Sequence, residues 1–394
     1  MLSADDSGRR YCSPAPVLAI LLAAGLLVPT AVDGQEVVDR VVDGEIGTQY
    51  QPLRLVEVVS GLEQPWAVAF LPDDQLLITE RPGRMQLVRG GQVTRVQGVP
   101  EVQAQNQGGL LDVVPHPDYE TNGWIYFTYS KAGADGTVPA LARARLEGDR
   151  LVDLEEIFES NEHTSPGRHY GSRVLFLDDG TFFMSIGDRG AEPERAQDTR
   201  DHSGSLVRLN DDGSVPDDNP FVGNEEYAPE TYSYGHRNIQ GIVRHPATGE
   251  IWATEHGPRG GDELNLIEAG KNYGWPVVSL GRDYRTQEPW ADARTGPEMT
   301  DPVFEFLPTL APSGLAVVEG GGFHDTWQGN LLAGGLASER LIRLVIENGE
   351  VVHAEELLLG MIGRIRDVRR GPDGAIYIAT GERDGSVYRL EPAN

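Results

Sequence analysis

The stretch Val174 to Gly190, VLFLDDGTFFMSIGDRG, carries the pattern that decides the fold. An apolar strand runs into an Asp-Asp-Gly turn, a second apolar strand follows, and a charged Gly turn ends it, which is the signature of an antiparallel hairpin. The same sentence recurs from Val68 (VAFLPDDQLLITERPGRMQLVRGG), Val113 (VVPHPDYETNGWIYFTYS), Ile242 (IVRHPATGEIWATEHG), Leu315 (LAVVEGGGFHDTWQGNLLAGGL) and Val368 (VRRGPDGAIYIATGERDGSVYRL). Six copies at spacings of roughly 45 to 75 residues predict an all-β fold, a six-bladed β-propeller of four-stranded antiparallel blades. Two β-sandwiches would leave the six equivalent turns unexplained. The strand RLVEVVSG (Arg54 to Gly61) precedes the first full copy and is placed to complete the last blade. Polar, Pro-rich insertions at Ala191 to Tyr232 and Gly281 to Pro308 predict long loops over one face, where propellers build their sites.

Composition narrows the function. A formal charge of -28 argues against nucleic acid and anionic membrane as partners, since both need clustered cations. Arg9 and Arg10, the apolar run Ala15 to Val32 and the small residues before Gln35 read as a secretory signal over residues 1–34. That leaves 35–394 as one propeller domain, periplasmic or secreted, with no stable membrane insertion once the signal is cleaved. The single cysteine, Cys12, lies in the signal, so the mature chain has no disulfide or thiol chemistry.

The segment Ser233 to Pro276, SYGHRNIQGIVRHPATGEIWATEHGPRGGDELNLIEAGKNYGWP, concentrates charged groups, glycines and aromatics. Arg237 and Asn238 supply donors for carboxylates or quinone oxygens. Gly257-Pro258 can turn backbone carbonyls toward a hard cation such as calcium.

On these residues, together with QPWAVAFLPDDQLLITERPGRMQLV, QGGLLDVVPHPDY, HYGSRVLFLDDGTFFMSIGDRG and GRIRDV, the chain resembles the glucose/sorbosone dehydrogenase family. It is most similar to the periplasmic aldose sugar dehydrogenases of that family, which use pyrroloquinoline quinone (PQQ). The resemblance implies that His169 is the general base taking the sugar C1 hydroxyl proton and that Asp188 orients it. It implies that Gln107 lies near substrate and cofactor, and that Arg237, Asn238, Arg364 and Arg366 face PQQ. The last two are alternate residues on one strand, so they point the same way. It further implies that the carbonyls of Gly257 and Pro258 hold Ca2+ against the quinone, with Asp262 supporting that loop, and that Glu263 and the Tyr273 carbonyl form a second calcium site. His236 and His256 flank this segment. One departure stands out: where several family members carry a cofactor-facing lysine, this chain has Ala337, with Arg340 and Arg343 nearby.

The resulting expectation is PQQ- and calcium-dependent oxidation of aldose sugars at C1 to lactones, with electrons passed to a diffusible acceptor by a monomer or dimer. No G-x-G-x-x-G follows a strand, which argues against a nicotinamide enzyme. A calcium-dependent propeller lactonase would need side-chain carboxylates around its metal and no arginine pair. A non-catalytic binding propeller would need neither His169 nor the arginines.

Overall fold

A computed structural model describes residues 35–133, 136–161, 164–165 and 167–393; the signal segment assigned to 1–34 lies outside the described residues. Six antiparallel sheets account for nearly all regular structure. The first blade runs Pro65–Leu71, Gln75–Glu80, Arg84–Arg89, Gln92–Arg95, and the second Leu110–Pro115, Trp124–Gly133, Gly136–Glu147, Arg150–Glu159. The third is Val174–Phe176, Phe182–Ile186, Ser205–Leu209, Thr231–Tyr234, and the fourth Ile239–Arg244, Ile251–Glu255, Asp262–Ile267, Phe304–Phe306. Pro312–Val317, Leu331–Gly335, Leu341–Glu347 and Glu350–Leu357 make the fifth. The sixth combines Ile365–Arg370, Ile376–Thr380 and Gly385–Pro392 with Leu53–Leu62, which pairs antiparallel to the C-terminal strand (Leu55 opposite Leu390).

Each recurring stretch of sequence therefore supplies the two innermost strands of one blade, and the first strands pack side by side around the axis. The ring closes as expected through the strand at Leu53–Leu62. One addition was not foreseen: Glu36–Ile46 pairs outside it, so the closing blade has a fifth strand. Its sequence, EVVDRVVDGEI, alternates too weakly between apolar and polar to signal a half-buried strand, and most of it is exposed.

The core is six wedges, each filling the gap between two blades. Trp66, Leu77, Leu111 and Phe127 pack between blades one and two; Leu55, Trp327, Leu332 and Ile378 pack between five and six. The axis itself is polar. Arg173, entering the third blade, lies 2.8 Å from Asp367 of the opposite sixth blade, and Arg369 pairs with both Asp367 and Asp112. One buried and one half-buried cation thus meet two buried anions across the channel, and the carboxylates also accept the N–H groups of Val68 and Val174. A buried charge is tolerated only with this degree of pairing.

Candidate active site

The open end of the channel, above this ionic plug, is a cavity of about 320 Å³ lined by Gln107, Asn238, His256, Ala337, Arg364 and Arg366 among others. Six chain segments meet there because each blade begins its first strand and ends its second at this face.

His169 stands at its edge in the left-handed backbone region, with φ of 50°. Two neighbours hold it there. Its N–H donates to Gln107 Oε1 at 2.7 Å, and its carbonyl accepts Arg189 Nη1 at 3.0 Å. Gly187 passes so close that a β-carbon would sit 2.2 Å from the His169 carbonyl, so only glycine fits. The imidazole Nδ1 lies 2.6 Å from Asp188 Oδ1, which also accepts the Gly190 N–H; Asp188 Oδ2 accepts Trp275 Nε1–H at 2.8 Å. Burial pushes the imidazole pKa down, against the opposing pull of Asp188 and with help from Arg237, so His169 is neutral at neutral pH. Burial would raise the Asp188 carboxyl, but the bond from His169, the charge of Arg237 and the indole together hold it below its ordinary range. A neutral imidazole with its Nδ1–H fixed by a carboxylate leaves Nε2 free to accept a proton.

The cavity wall is cationic. Among the described residues no carboxylate lies within ion-pair distance of Arg81, Arg237, Arg364 or Arg366, on a chain of net charge -28. Arg364 Nη1 reaches only the Leu336 carbonyl, Arg366 Nη1 only Gln240 Oε1, and Arg237 Nη1 only the His256 carbonyl, with Arg237 Nε buried and unbonded. Burial, then the charges of Arg173 and Arg364, push Arg366 down to about 9, which still leaves it charged at neutral pH. Cations so placed need an anion to complete them.

The Gly257-Pro258 loop is equally constrained. A β-carbon on Gly257 would meet the Gly261 carbonyl at 1.7 Å. Asp262 clamps the loop, accepting Gly257 N–H on one oxygen and Leu310 and Ala311 N–H on the other. Burial pushes Asp262 up to about 6. Pro258 O accepts Gly261 N–H at 2.9 Å and keeps one lone pair. Among the described residues no three His, Cys, Asp or Glu side chains converge as a metal site, so a cation here would rest on backbone oxygens and on donors brought by a ligand. Glu263 lies opposite Glu255 across one strand pair and Glu305 across the next; burial and Glu255 drive its pKa well up. Tyr273 stacks on His236 with ring centres 4.5 Å apart.

A family model described as Glucose / Sorbosone dehydrogenase matches residues 62–389. The chain belongs to the glucose/sorbosone dehydrogenase family. Among relatives, an uncharacterized protein of Synechocystis sp. is 45% identical, covering 88% of this chain and 89% of that one. The aldose sugar dehydrogenase YliI of Escherichia coli is 39% identical over 86% of this chain and 93% of its own. Among solved structures, the PQQ-bound form of an aldose sugar dehydrogenase from Streptomyces coelicolor superposes with a TM-score of 0.70 at 26% identity, covering 92% of this chain and 99% of that one.

Several residues near the family motifs are committed elsewhere or are unsuited to the chemistry. Arg340 pairs with Glu356, and Arg343 with Glu355 and Asn330 over the Trp327 ring, so neither stands in for the lysine absent at Ala337. His236 is fully buried, with Nδ1 on Glu255 and Nε2 on Ser233 Oγ, so both ring nitrogens are spent. His256 donates Nε2–H to Pro312 O, and burial with Arg237 and Arg366 pushes it down to about 3, too weak a base for a neutral-pH proton. Arg81, Gln240 and Trp275 were missed. Trp275 lay within the quoted NYGWP motif, but the motif alone does not say what the indole N–H touches.

Proposed function

We propose that this protein oxidises aldose sugars at C1 to lactones, using PQQ and Ca2+. The observation that carries the reading is a set of arginines without carboxylate partners, Arg81, Arg364 and Arg366 lining one cavity and Arg237 next to the neutral His169 imidazole and its Asp188 carboxylate. PQQ bears three carboxylates, and arginine is the side chain best suited to hold them. When bound, PQQ would supply the electron-accepting carbonyl that takes hydride from C1, with Ca2+ polarising that carbonyl. Arg237, Arg364 and Arg366 would hold the cofactor carboxylates, Asn238 would add an amide contact, and the Gly257 and Pro258 carbonyls would hold the cation. Gln107 and Arg189 fix the His169 main chain, Asp188 fixes its tautomer, and Nε2 accepts the C1 hydroxyl proton.

The lactonase alternative lacks its converging carboxylates among the described residues. The export reading fits the protein's place in this scheme: a mature chain beginning near Gln35, periplasmic or secreted, handing electrons to a diffusible acceptor. Among the described residues no helix is long and apolar enough to cross a membrane. Mass spectrometry of the exported protein would reject cleavage if Met1 to Gly34 were intact. For the chemistry, apoprotein should reduce a dye with aldose only when PQQ and calcium are both supplied, and not with NAD. Equal activity without PQQ would sink the assignment.

A further inference from the structure

Trp275 touches two parts of the site that are otherwise held separately. Its indole N–H donates to Asp188 Oδ2 at 2.8 Å, while Oδ1 is taken by His169 and Gly190, so both carboxylate oxygens are engaged. The Arg237 guanidinium lies over the same ring, 5.2 Å from its centre. That contact matters because the guanidinium has few other constraints: one bond to the His256 carbonyl, and a buried Nε with none. A cation over an indole face is attracted by the ring quadrupole.

The ring is itself fixed. Trp275 is 5% exposed; its main-chain N–H donates to Gly235 O at 2.9 Å and its carbonyl accepts Gln197 Nε2 at 2.7 Å. Trp290, from the Gly281 to Pro308 insertion, stacks on it with centres 4.9 Å apart and planes 28° apart. An inserted loop on the cavity face thus braces the indole.

We propose that Trp275 is a positioning residue, one side chain that sets the Asp188 carboxylate behind His169 through its N–H and the Arg237 guanidinium through its ring. The inference rests on the dehydrogenase reading given above. It separates the two contacts, so they can be removed separately. Trp275→Phe keeps an aromatic face beneath Arg237 and deletes the N–H; Trp275→Leu deletes both.

Three measurements test it. In calorimetric titration of apoprotein with PQQ and calcium, Trp275→Phe should bind within about threefold of the parent, and Trp275→Leu at least about tenfold more weakly. At saturating cofactor, kcat of Trp275→Phe should fall about tenfold with KM little changed, the pattern of lost alignment rather than lost binding. In cofactor-free protein labelled at histidine nitrogens, the His169 titration should move upward in Trp275→Phe. The charged groups facing His169 are Asp188, Arg237, Arg168 and, at its carbonyl, Arg189, and of these only Asp188 loses a donor, which strengthens its pull on the imidazolium. A Trp275→Phe protein with kcat within twofold of the parent and an unmoved His169 titration would overturn the proposal, as would parental PQQ affinity in Trp275→Leu. Should the Leu variant not fold, the Phe variant still decides. Should the parent bind no PQQ, the cofactor reading fails, while the histidine titration still settles whether Trp275 governs Asp188 and His169.

Discussion

Gln107 and His169 lie 62 residues apart in sequence, on neighbouring blades, and the amide oxygen of Gln107 takes the main-chain N–H of His169 at 2.7 Å. The glutamine's acceptor is therefore spent on shaping the His169 backbone rather than on a ligand. Gln107→Leu leaves a buried N–H without a partner, a cost of about 1–3 kcal/mol, and lets the left-handed turn relax. We expect kcat to fall by roughly tenfold or more, with Gln107→Glu, which keeps an acceptor, less affected. Equal losses in both variants would detach the effect from this bond.

Removing the proposed base should separate binding from chemistry. His169→Gln should keep PQQ and calcium affinity yet lower kcat by about two to four orders of magnitude. Asp188→Asn should show a smaller loss, and the double variant little more than His169→Gln alone, because the pair acts as one unit. Turnover of a C1-deuterated aldose in single and double variants checks this; additive losses would contradict it.

The pH profile follows from the lowered His169 pKa. The proposed base would work when neutral, so kcat/KM should rise with pH through an apparent value below 6.5 and be flat near neutrality. The same shift acts on stability: the unfolded chain binds the proton more readily than the folded one. Its contribution is complete above the unfolded value and is lost as pH falls through it toward the folded value. An acid limb centred above 6.5 would contradict both statements.

Arg366→Ala should weaken PQQ binding by about 1.5–3 kcal/mol, the scale of a charged hydrogen bond. Because the arginine is under-compensated in the empty cavity, the cofactor-free variant should melt no lower than the parent. Calorimetry and thermal melting together report this, and an unchanged PQQ titration would remove Arg366 from the site.

In the channel, Asp367→Ala strands Arg173 2% exposed and short of its 2.8 Å partner. A loss of about 3 kcal/mol or more in stability is expected, read from denaturant unfolding. A change below about 1 kcal/mol would mean that Asp112 suffices alone.

What could be read from the sequence followed locality. The hairpins are local, so alternation and Asp-Gly turns located all six blades and even the strand that closes them. His169 and Asp188 fall within one hairpin's length, and that pairing was legible too. Trp275 and Gln240 act across blades, and nothing along the chain says that residues 87 apart, as Asp188 and Trp275 are, share a hydrogen bond. Whether Arg340 or Arg343 replaces the lysine absent at Ala337 could not be read from the sequence for a related reason: an arginine's role depends on which acid it meets, and Glu355 and Glu356 on the next strand claim both.

The pairing of Leu53–Leu62 with Gly385–Pro392 has a temporal meaning. A ribosome delivers the closing strand first and its partner last, so the early segment must wait through more than three hundred residues of synthesis before it has anywhere to dock. Until then the sixth blade, which carries Arg364 and Arg366, has no outer half. A chain halted a few residues early would be a broken circle with an unfinished cationic wall.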